Sequence, residues 1–266
     1  MMPSPIFTII CPILNADSST IHRLVSSLNT QTYQSWSLLF INANGSKSQQ
    51  TSLLLNLANS NSRIFVRPDL PESSIYSAMN YGFSLSEPNS WRIFWGADDY
   101  CASPYVFSTL AHYINSHRVS SPIFTKARFV TSTNTIFRTV NFPDFLPPRI
   151  SLFLGFSPAH QSVILPPGYS SHLPLYETHF RVAADLDFFF KLINKSRIYI
   201  NNTICLAHVQ CDGFSTRNQI KKYQEVISIY KSFFGYLFFF PLLLRYIYKG
   251  SYAAMLKFIR FFHYFA

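Results

Sequence analysis

The chain has 266 residues and a formal net charge of +10. Nearly half of it (48%) is apolar and only 13% is charged, which excludes a disordered chain and leaves material for one large α/β core. Its four cysteines lack CxxC spacing, which excludes a common zinc site, and the chain is too long to need disulfides; reduced thiols are expected.

The charge is unevenly spread. From Arg217 onward there are eight Lys/Arg and one acid, Glu225, so +7 of the +10 lies in the last fifth of the chain. No basic stretch precedes an apolar run at the N-terminus, so no secretory signal is expected.

In chain order, Phe7 to Cys11 is a short apolar run, a buried strand stopped by Pro12. Ser18 and Ser19 can cap a helix bearing Ile21, Leu24, Val25 and Leu28 at helical spacing. Ser37 to Ile41 reads as a second strand, followed by a polar turn from Asn42 to Ser48. Thr51 to Ala58 and Ile75 to Leu85 read as helices, and Arg63 to Val66 and Trp91 to Trp95 as strands. This alternation predicts a mostly parallel sheet with both faces covered and a ligand crevice beyond the carboxyl ends of its strands. The second half holds short β-like runs between Pro-rich turns over 122–165. A helix from Asp185 to Leu192, a strand from Ile198 to Val209 and a helix from Arg217 to Tyr230 follow.

Three clusters can carry chemistry. Asp98-Asp99 follows the fourth strand, and adjacent carboxylates repel unless a cation offsets them. Mg²⁺ or Mn²⁺ would take carboxylate oxygens and bridge substrate phosphates, neutralising a diphosphate leaving group. Taken alone, the pair fits a solvated turn or helix cap equally well. Ala184-Asp185-Leu186-Asp187 opens a Phe-rich helix, where a carboxylate can act as general base or simply cap the helix. His160-Gln161-Ser162 precedes the apolar run Val163-Ile164-Leu165, and a lone His there is more often structural than a ligand.

Set in order, these blocks resemble the family 2 inverting glycosyltransferases, in particular short bacterial ones that build surface polysaccharide. The resemblance runs from about Phe7 to Ser215. It is carried by Thr8-Ile-Ile-Cys-Pro-Ile-Leu-Asn15, Gln31-Thr32-Tyr33 with Trp36, and Ile75-Tyr-Ser-Ala-Met-Asn-Tyr-Gly82. Phe94-Trp-Gly-Ala-Asp-Asp99, His160-Gln-Ser162, Ala184-Asp-Leu-Asp-Phe188 and Asp212-Gly-Phe-Ser215 complete the set. The resemblance implies a nucleotide-sandwich (GT-A) α/β fold and a single in-line displacement with inversion. It also implies a nucleotide-sugar donor and a Mg²⁺ or Mn²⁺ ion. Asp99 would be the metal ligand, and Asp98, Pro12, Asn15, Asn44, Met79 and Asn80 would lie on the donor side. His160, Gln161 and Ser162 would lie on the acceptor side, with Asp185 the preferred base and Asp187 the reserve.

Three positions depart from the family pattern. The loop after the second strand, Asn42-Ala-Asn-Gly-Ser46, carries no carboxylate, Ser77 stands where Asp is usual, and Tyr81 where Lys is usual. The alternative these changes suggest is a degenerate relative that binds nucleotide or glycan without turnover.

The expected organisation is a catalytic domain over 1–216, its nucleotide half 1–100 and its acceptor half 101–216, followed by a basic aromatic helical tail over 217–266. Phe233 to Leu244 is too short to span a bilayer, which needs about 20 residues. With Met255, Phe258, Ile259 and Phe262 it suits docking on an anionic membrane surface, and a core-packing helix hairpin is the competing reading. The expected function is sugar transfer to a glycan or lipid-linked acceptor hydroxyl. The expected setting is the cytoplasm, peripheral at the inner face of the cell membrane, with no nucleic-acid partner.

Overall fold

The computed structural model describes residues 6–42, 49–68, 74–169, 175–210 and 218–247. The first half alternates as expected: β1 (Ile6–Ile13), α1 (Ser18–Asn29), β2 (Trp36–Asn42), α2 (Gln49–Ser60), β3 (Ile64–Pro68), α3 (Ile75–Leu85) and β4 (Ser90–Phe94). The second half contains β5 (Tyr100–Cys101), α4 (Val106–Ser116), β6 (Ile123–Val130), β7 (Ile136–Val140) and α5 (Pro148–Phe153). A 3-10 turn at His160–Ser162 leads into β8 (Val163–Leu165), followed by α6 (Ala184–Lys195), β9 (Tyr199–Gln210) and α7 (Gln219–Phe234). A 3-10 turn at Gly235–Leu237 and a helical stretch over 239–247 follow α7.

The strands form one sheet in the order β3-β2-β1-β4-β8-β6-β9-β5, with β7 on β6. It is a mixed sheet rather than a mostly parallel one. β3, β2, β1 and β4 run parallel, as do β6 and β9, whereas β8 is antiparallel to both β4 and β6, β7 to β6, and β5 to β9. The cause is connection length. A parallel neighbour needs a crossover of a dozen or more residues, whereas β6 and β7 are joined by a short turn that permits only an antiparallel pair.

Side-chain alternation sends β1 to both faces. Phe7, Ile9, Cys11 and Ile13 pack with Ile21, Leu24 and Leu28 of α1 and Phe107 and Leu110 of α4. Ile10 packs on the opposite face with Met79 and Phe83 of α3, Leu186 and Phe190 of α6 and Ile229 of α7. Pro12 is tolerated in this central strand because β4 leaves β1 after Ile10, whose carbonyl accepts the Trp95 amide, so no ladder bond is lost on that side.

Local chemistry corrects one expected cap. Asp17, not Ser18 or Ser19, caps α1, its carboxylate accepting from the Ser19 amide at 2.9 Å. The Gln31 side chain ties α1 to α4: its Nε2 donates to the Ser103 carbonyl at 2.7 Å and its Oε1 accepts from the Phe107 amide. This part of the Gln-Thr-Tyr block is thus a buried brace.

The basic segment is partly built into the core. Val226, Ile229 and Tyr230 of α7 are buried, and Arg245 is 5% exposed, its Nη1 donating to the Gly155 carbonyl at 3.1 Å. Among the described residues no helix is long and apolar enough to cross a membrane. The stripe from Met255 to Phe262 lies outside the described residues.

Gly82 lets α3 lie close on the sheet. A Cβ there would fall inside van der Waals contact of Ile10 Cγ2 and 3.0 Å from Ile41 Cγ1. Gly82→Ala is therefore expected to lower unfolding free energy by about 1–3 kcal/mol through overpacking, read as a lower midpoint in urea unfolding.

Candidate active site

β1, β2 and β4 run parallel, so their carboxyl ends lie at the same edge of the sheet, the edge where ligands bind in sheets of this kind. Asn15, just past β1, takes φ 49°, the left-handed conformation that Asn tolerates. Asn44 and the block Asp212 to Ser215 lie outside the described residues.

β4 runs into the tight turn of Gly96 to Asp99. Asp99 is only 2% exposed, and its Oδ2 accepts the Gly96 amide at 2.6 Å. Both carboxylates fold back over Gly96, where a Cβ would stand 2.7 Å from Asp98 Oδ1 and 3.3 Å from Asp99 Oδ2. Glycine is thus required by the carboxylates above it. Burial, reinforced by the Asp98 charge, holds the Asp99 pKa well above the usual carboxylate range, against the lowering effects of the Gly96 amide and the Gln161 side chain. Burial and the same two carboxylates push the Cys11 thiol up as well. Arg23 of α1 braces the turn, its Nη2 donating to the Asp98 carbonyl at 3.3 Å and its guanidinium lying 4.7 Å from the Tyr100 ring centre.

This donor set fits a divalent cation. The oxygens are hard, they converge over one backbone amide, and a bound cation would offset the cost of the buried charge. No group of three or more His, Cys, Asp or Glu side chains gathers among the described residues. An ion such as Mg²⁺ takes one or two carboxylates and completes its shell with phosphate oxygens and water.

The 3-10 turn at His160–Ser162 joins this carboxylate pair to a second acidic centre. The Gln161 carbonyl accepts from Trp95 Nε1 at 2.9 Å, beside Gly96, and the Gln161 side chain lowers the Asp99 pKa. One residue back, His160 stacks on Phe94 at 5.8 Å between ring centres, and its Nε2 pairs with the Tyr176 hydroxyl. The Asp185 charge reaches His160, Tyr176 and Tyr76. Burial lowers the His160 pKa to about 4, with Asp185 acting against it, so the ring is neutral at pH 7. Ser162 is structural: its carbonyl accepts from Thr125 and its hydroxyl donates to the Ala159 carbonyl.

The two candidate bases differ in surroundings. Asp187 is buried, 2.7 Å from Lys191 Nζ one turn along α6, and Lys191 also holds Glu177 at 2.6 Å. Burial raises the Asp187 pKa and Lys191 opposes the shift. Asp185 is half-buried, accepts the Leu186 amide at 2.8 Å through Oδ1, and pairs with no Lys or Arg among the described residues.

Two expected donor-side residues are held by the protein itself. Met79 is buried in the helix–sheet core. Asn80 clamps the backbone of Tyr176, donating to its carbonyl at 2.8 Å and accepting its amide at 3.0 Å. Asn80 thereby sets the ring that meets His160. Tyr176 lies in none of the recognised blocks, and no local pattern marks it.

A family model described as Glycosyl transferase family 2 matches residues 8–173, more than half of the chain. The chain belongs to this family. It is a nucleotide-sugar-dependent glycosyltransferase domain by that membership. A "PGL/p-HBAD biosynthesis glycosyltransferase" of Mycobacterium bovis is 27% identical over 192 residues, covering 70% of this chain and 69% of the relative. A Mycobacterium tuberculosis protein so described matches equally.

Solved family folds agree. S. aureus TarS 1–349 in complex with UDP-GlcNAc superposes with a TM-score of 0.67 at 16% identity, covering 85% of this chain and 65% of that one. The mannosyltransferase PcManGT from Pyrobaculum calidifontis, in complex with GDP-Man and Mn²⁺, gives a TM-score of 0.60 at 12% identity, covering 87% and 64%. The chain thus spans just under two thirds of these longer proteins, and the likeness establishes the GT-A-type fold.

His160 gives the site a pH signature. A histidine whose folded pKa lies near 4, below the unfolded value of about 6.5, contributes stability that is present above pH 6.5 and lost as pH falls through 4. His160→Gln is therefore expected to show a shallower loss of unfolding free energy between pH 6.5 and 4 than the parent, measured by urea unfolding across that range.

Proposed function

We propose that the chain transfers a sugar from a nucleotide-sugar donor to a hydroxyl of a glycan or lipid-linked acceptor, by one in-line displacement with inversion at the anomeric carbon. The observation that carries this reading is the His160–Ser162 turn: its Gln161 carbonyl holds Trp95 beside the Gly96–Asp99 turn, and its His160 pairs with Tyr176, where the Asp185 charge is felt. In this reading the donor diphosphate lies over Gly96 to Asp99, and Asp99, with Asp98 beside it, holds a Mg²⁺ or Mn²⁺ ion. That ion supplies electrostatic neutralisation of the departing nucleoside diphosphate. Asp185 accepts the proton of the attacking hydroxyl as the new glycosidic bond forms and the bond to the diphosphate breaks. Neutral His160 and the Tyr76 and Tyr176 rings wall the base from water.

UDP and GDP sugars are the first donors to test, since fold neighbours hold UDP-GlcNAc and GDP-Man. The relatives named for PGL/p-HBAD biosynthesis support an acceptor assembled in a glycan or glycolipid pathway. The carboxylate-free loop after β2 favours, as second reading, a relative that binds nucleotide without turnover. Calorimetry with UDP-, GDP- and dTDP-sugars beside a nucleotide-release assay separates the two, because binding without release across an acceptor panel supports the second.

In that assay, with and without Mn²⁺, Asp185→Ala is expected to lower kcat by about 10²–10⁴-fold with little change in donor affinity. Asp99→Ala is expected to abolish the Mn²⁺ response. Full transfer by both variants would overturn the site assignment.

A membrane-surface role for the basic segment rests on exposed apolar side chains beside its Lys and Arg. Tyr236 is 97% exposed and Leu237 68%, and Phe239, Phe240 and Leu243 each exceed half. The occupant that suits them is an anionic lipid surface at the inner face of the cell membrane. Truncation after Tyr230 would remove the buried Arg245 as well, so point substitution is the cleaner probe. Changing Tyr236, Phe239, Phe240 and Leu243 together to Ser is expected to abolish co-sedimentation with phosphatidylglycerol vesicles while leaving the thermal midpoint within about 3 °C. Unchanged co-sedimentation would remove the membrane role.

A further inference from the structure

Glu225 is the only carboxylate from Arg217 to the last residue, in a segment otherwise rich in Lys and Arg. It is also buried, at 6% exposure, on a face of α7 shared with Val226 and Ile229. Its Oε1 accepts the Arg181 amide at 2.9 Å, and its Oε2 accepts the Val182 amide at 2.8 Å and the Ala183 amide at 2.9 Å. These amides immediately precede α6.

The first amides of a helix have no partner within it and need an acceptor. The residue at the cap position of α6 is Ala183, which offers no side-chain acceptor. Glu225 instead accepts the amides of the three residues leading into the helix, from 42 to 44 residues away, which sets its carboxyl group at the positive end of the helix. Two residues further along is Asp185. Burial, with the Asp185 and Glu225 charges, raises the Tyr76 pKa. The backbone from Arg181 to Ala183 is pinned to α7 by Glu225.

We propose that Glu225 is a positioning residue for sugar transfer: by fixing the backbone of 181–183 it sets the angle at which Asp185 meets the acceptor hydroxyl, and it ties the C-terminal basic segment to the reacting centre. This rests on the reading of Asp185 as the base. A misplacement of about 1 Å at a reacting group can cost about a hundredfold in rate, so a clamp two residues away has leverage.

The test uses the full chain as parent, Glu225→Gln, Glu225→Asp, Asp185→Asn and the Glu225→Gln/Asp185→Asn double variant. Turnover is followed by nucleotide release with UDP-GlcNAc or GDP-mannose, whichever the parent uses, and affinity for that donor by calorimetry. Hydrogen exchange is followed in peptides covering 180–186. Glu225→Gln is expected to lower kcat by about tenfold or more while donor KM and Kd stay within about twofold, with faster exchange confined to 180–186. Glu225→Asp, which keeps the charge one methylene short, is expected to recover part of kcat. In the Asp185→Asn background, Glu225→Gln is expected to have no further effect.

A kcat within twofold of parent for Glu225→Gln, a parallel loss of donor affinity, or additive losses in the double variant would each overturn the proposal. Should Glu225→Gln fail to fold, Glu225→Asp carries the same comparisons. Full transfer by Asp185→Asn would instead overturn the assignment of the base, a separate outcome.

Discussion

Asp99 is a buried carboxylate whose strongest charged neighbour is another carboxylate, and the surrounding structure follows from that electrostatic conflict. In a medium of low dielectric such a pair is costly unless donors and a cation compensate it. The protein supplies one backbone amide from Gly96, with the Gln161 side chain and the Arg23 guanidinium acting in the same direction. These groups lower the Asp99 pKa without outweighing burial and Asp98. A site held in this partly compensated state is one that a divalent cation and a diphosphate together can complete. The same burial and the same two charges push the Cys11 thiol up.

The second acidic centre is arranged by the opposite principle. Its reserve carboxylate, Asp187, is neutralised by Lys191 and bound into α6. The Asp185 charge is felt by His160, Tyr76 and Tyr176, and no cation pairs with it among the described residues. The two carboxylates, two positions apart, thus have different surroundings, which is why the proposed reading gives the proton transfer to Asp185. The turn from His160 to Ser162 lies between the centres, so displacement of this short turn would disturb both. Its packing is correspondingly tight: Trp95, Thr125 and Tyr176 each hold one of its residues.

Several residues of the recognised blocks brace the protein. Met79 fills the space between α3 and the sheet, and Asn80 clamps the Tyr176 backbone. Gln31 joins α1 to α4. Motif positions in this fold thus serve partly to aim neighbouring rings and strand ends, one step removed from the ligand. The basic C-terminal segment has a similarly double character. Val226 and Tyr230 complete the second core and Arg245 is buried against Gly155, while Tyr236, Phe239 and Phe240 remain in solvent.

The sequence by itself determined the elements whose signals are local. Helical spacing of Ile21, Leu24, Val25 and Leu28 marks α1, apolar runs mark β1, β2 and β4, and the ordered blocks mark the family and its carboxylate pair. These follow from neighbours within a few positions along the chain, where periodicity and capping act. Tertiary structure decided the rest. Antiparallel pairing of β8 depends on which edge of β4 and β6 remains open, and no periodicity encodes that. Asp185 differs from Asp187 only through the residues packed around each, although two positions separate them. Tyr176 and Glu225 reach the site across 16 and 42 to 44 residues of chain. Their roles arise only when the second core face closes and leaves buried amides and hydroxyls needing partners.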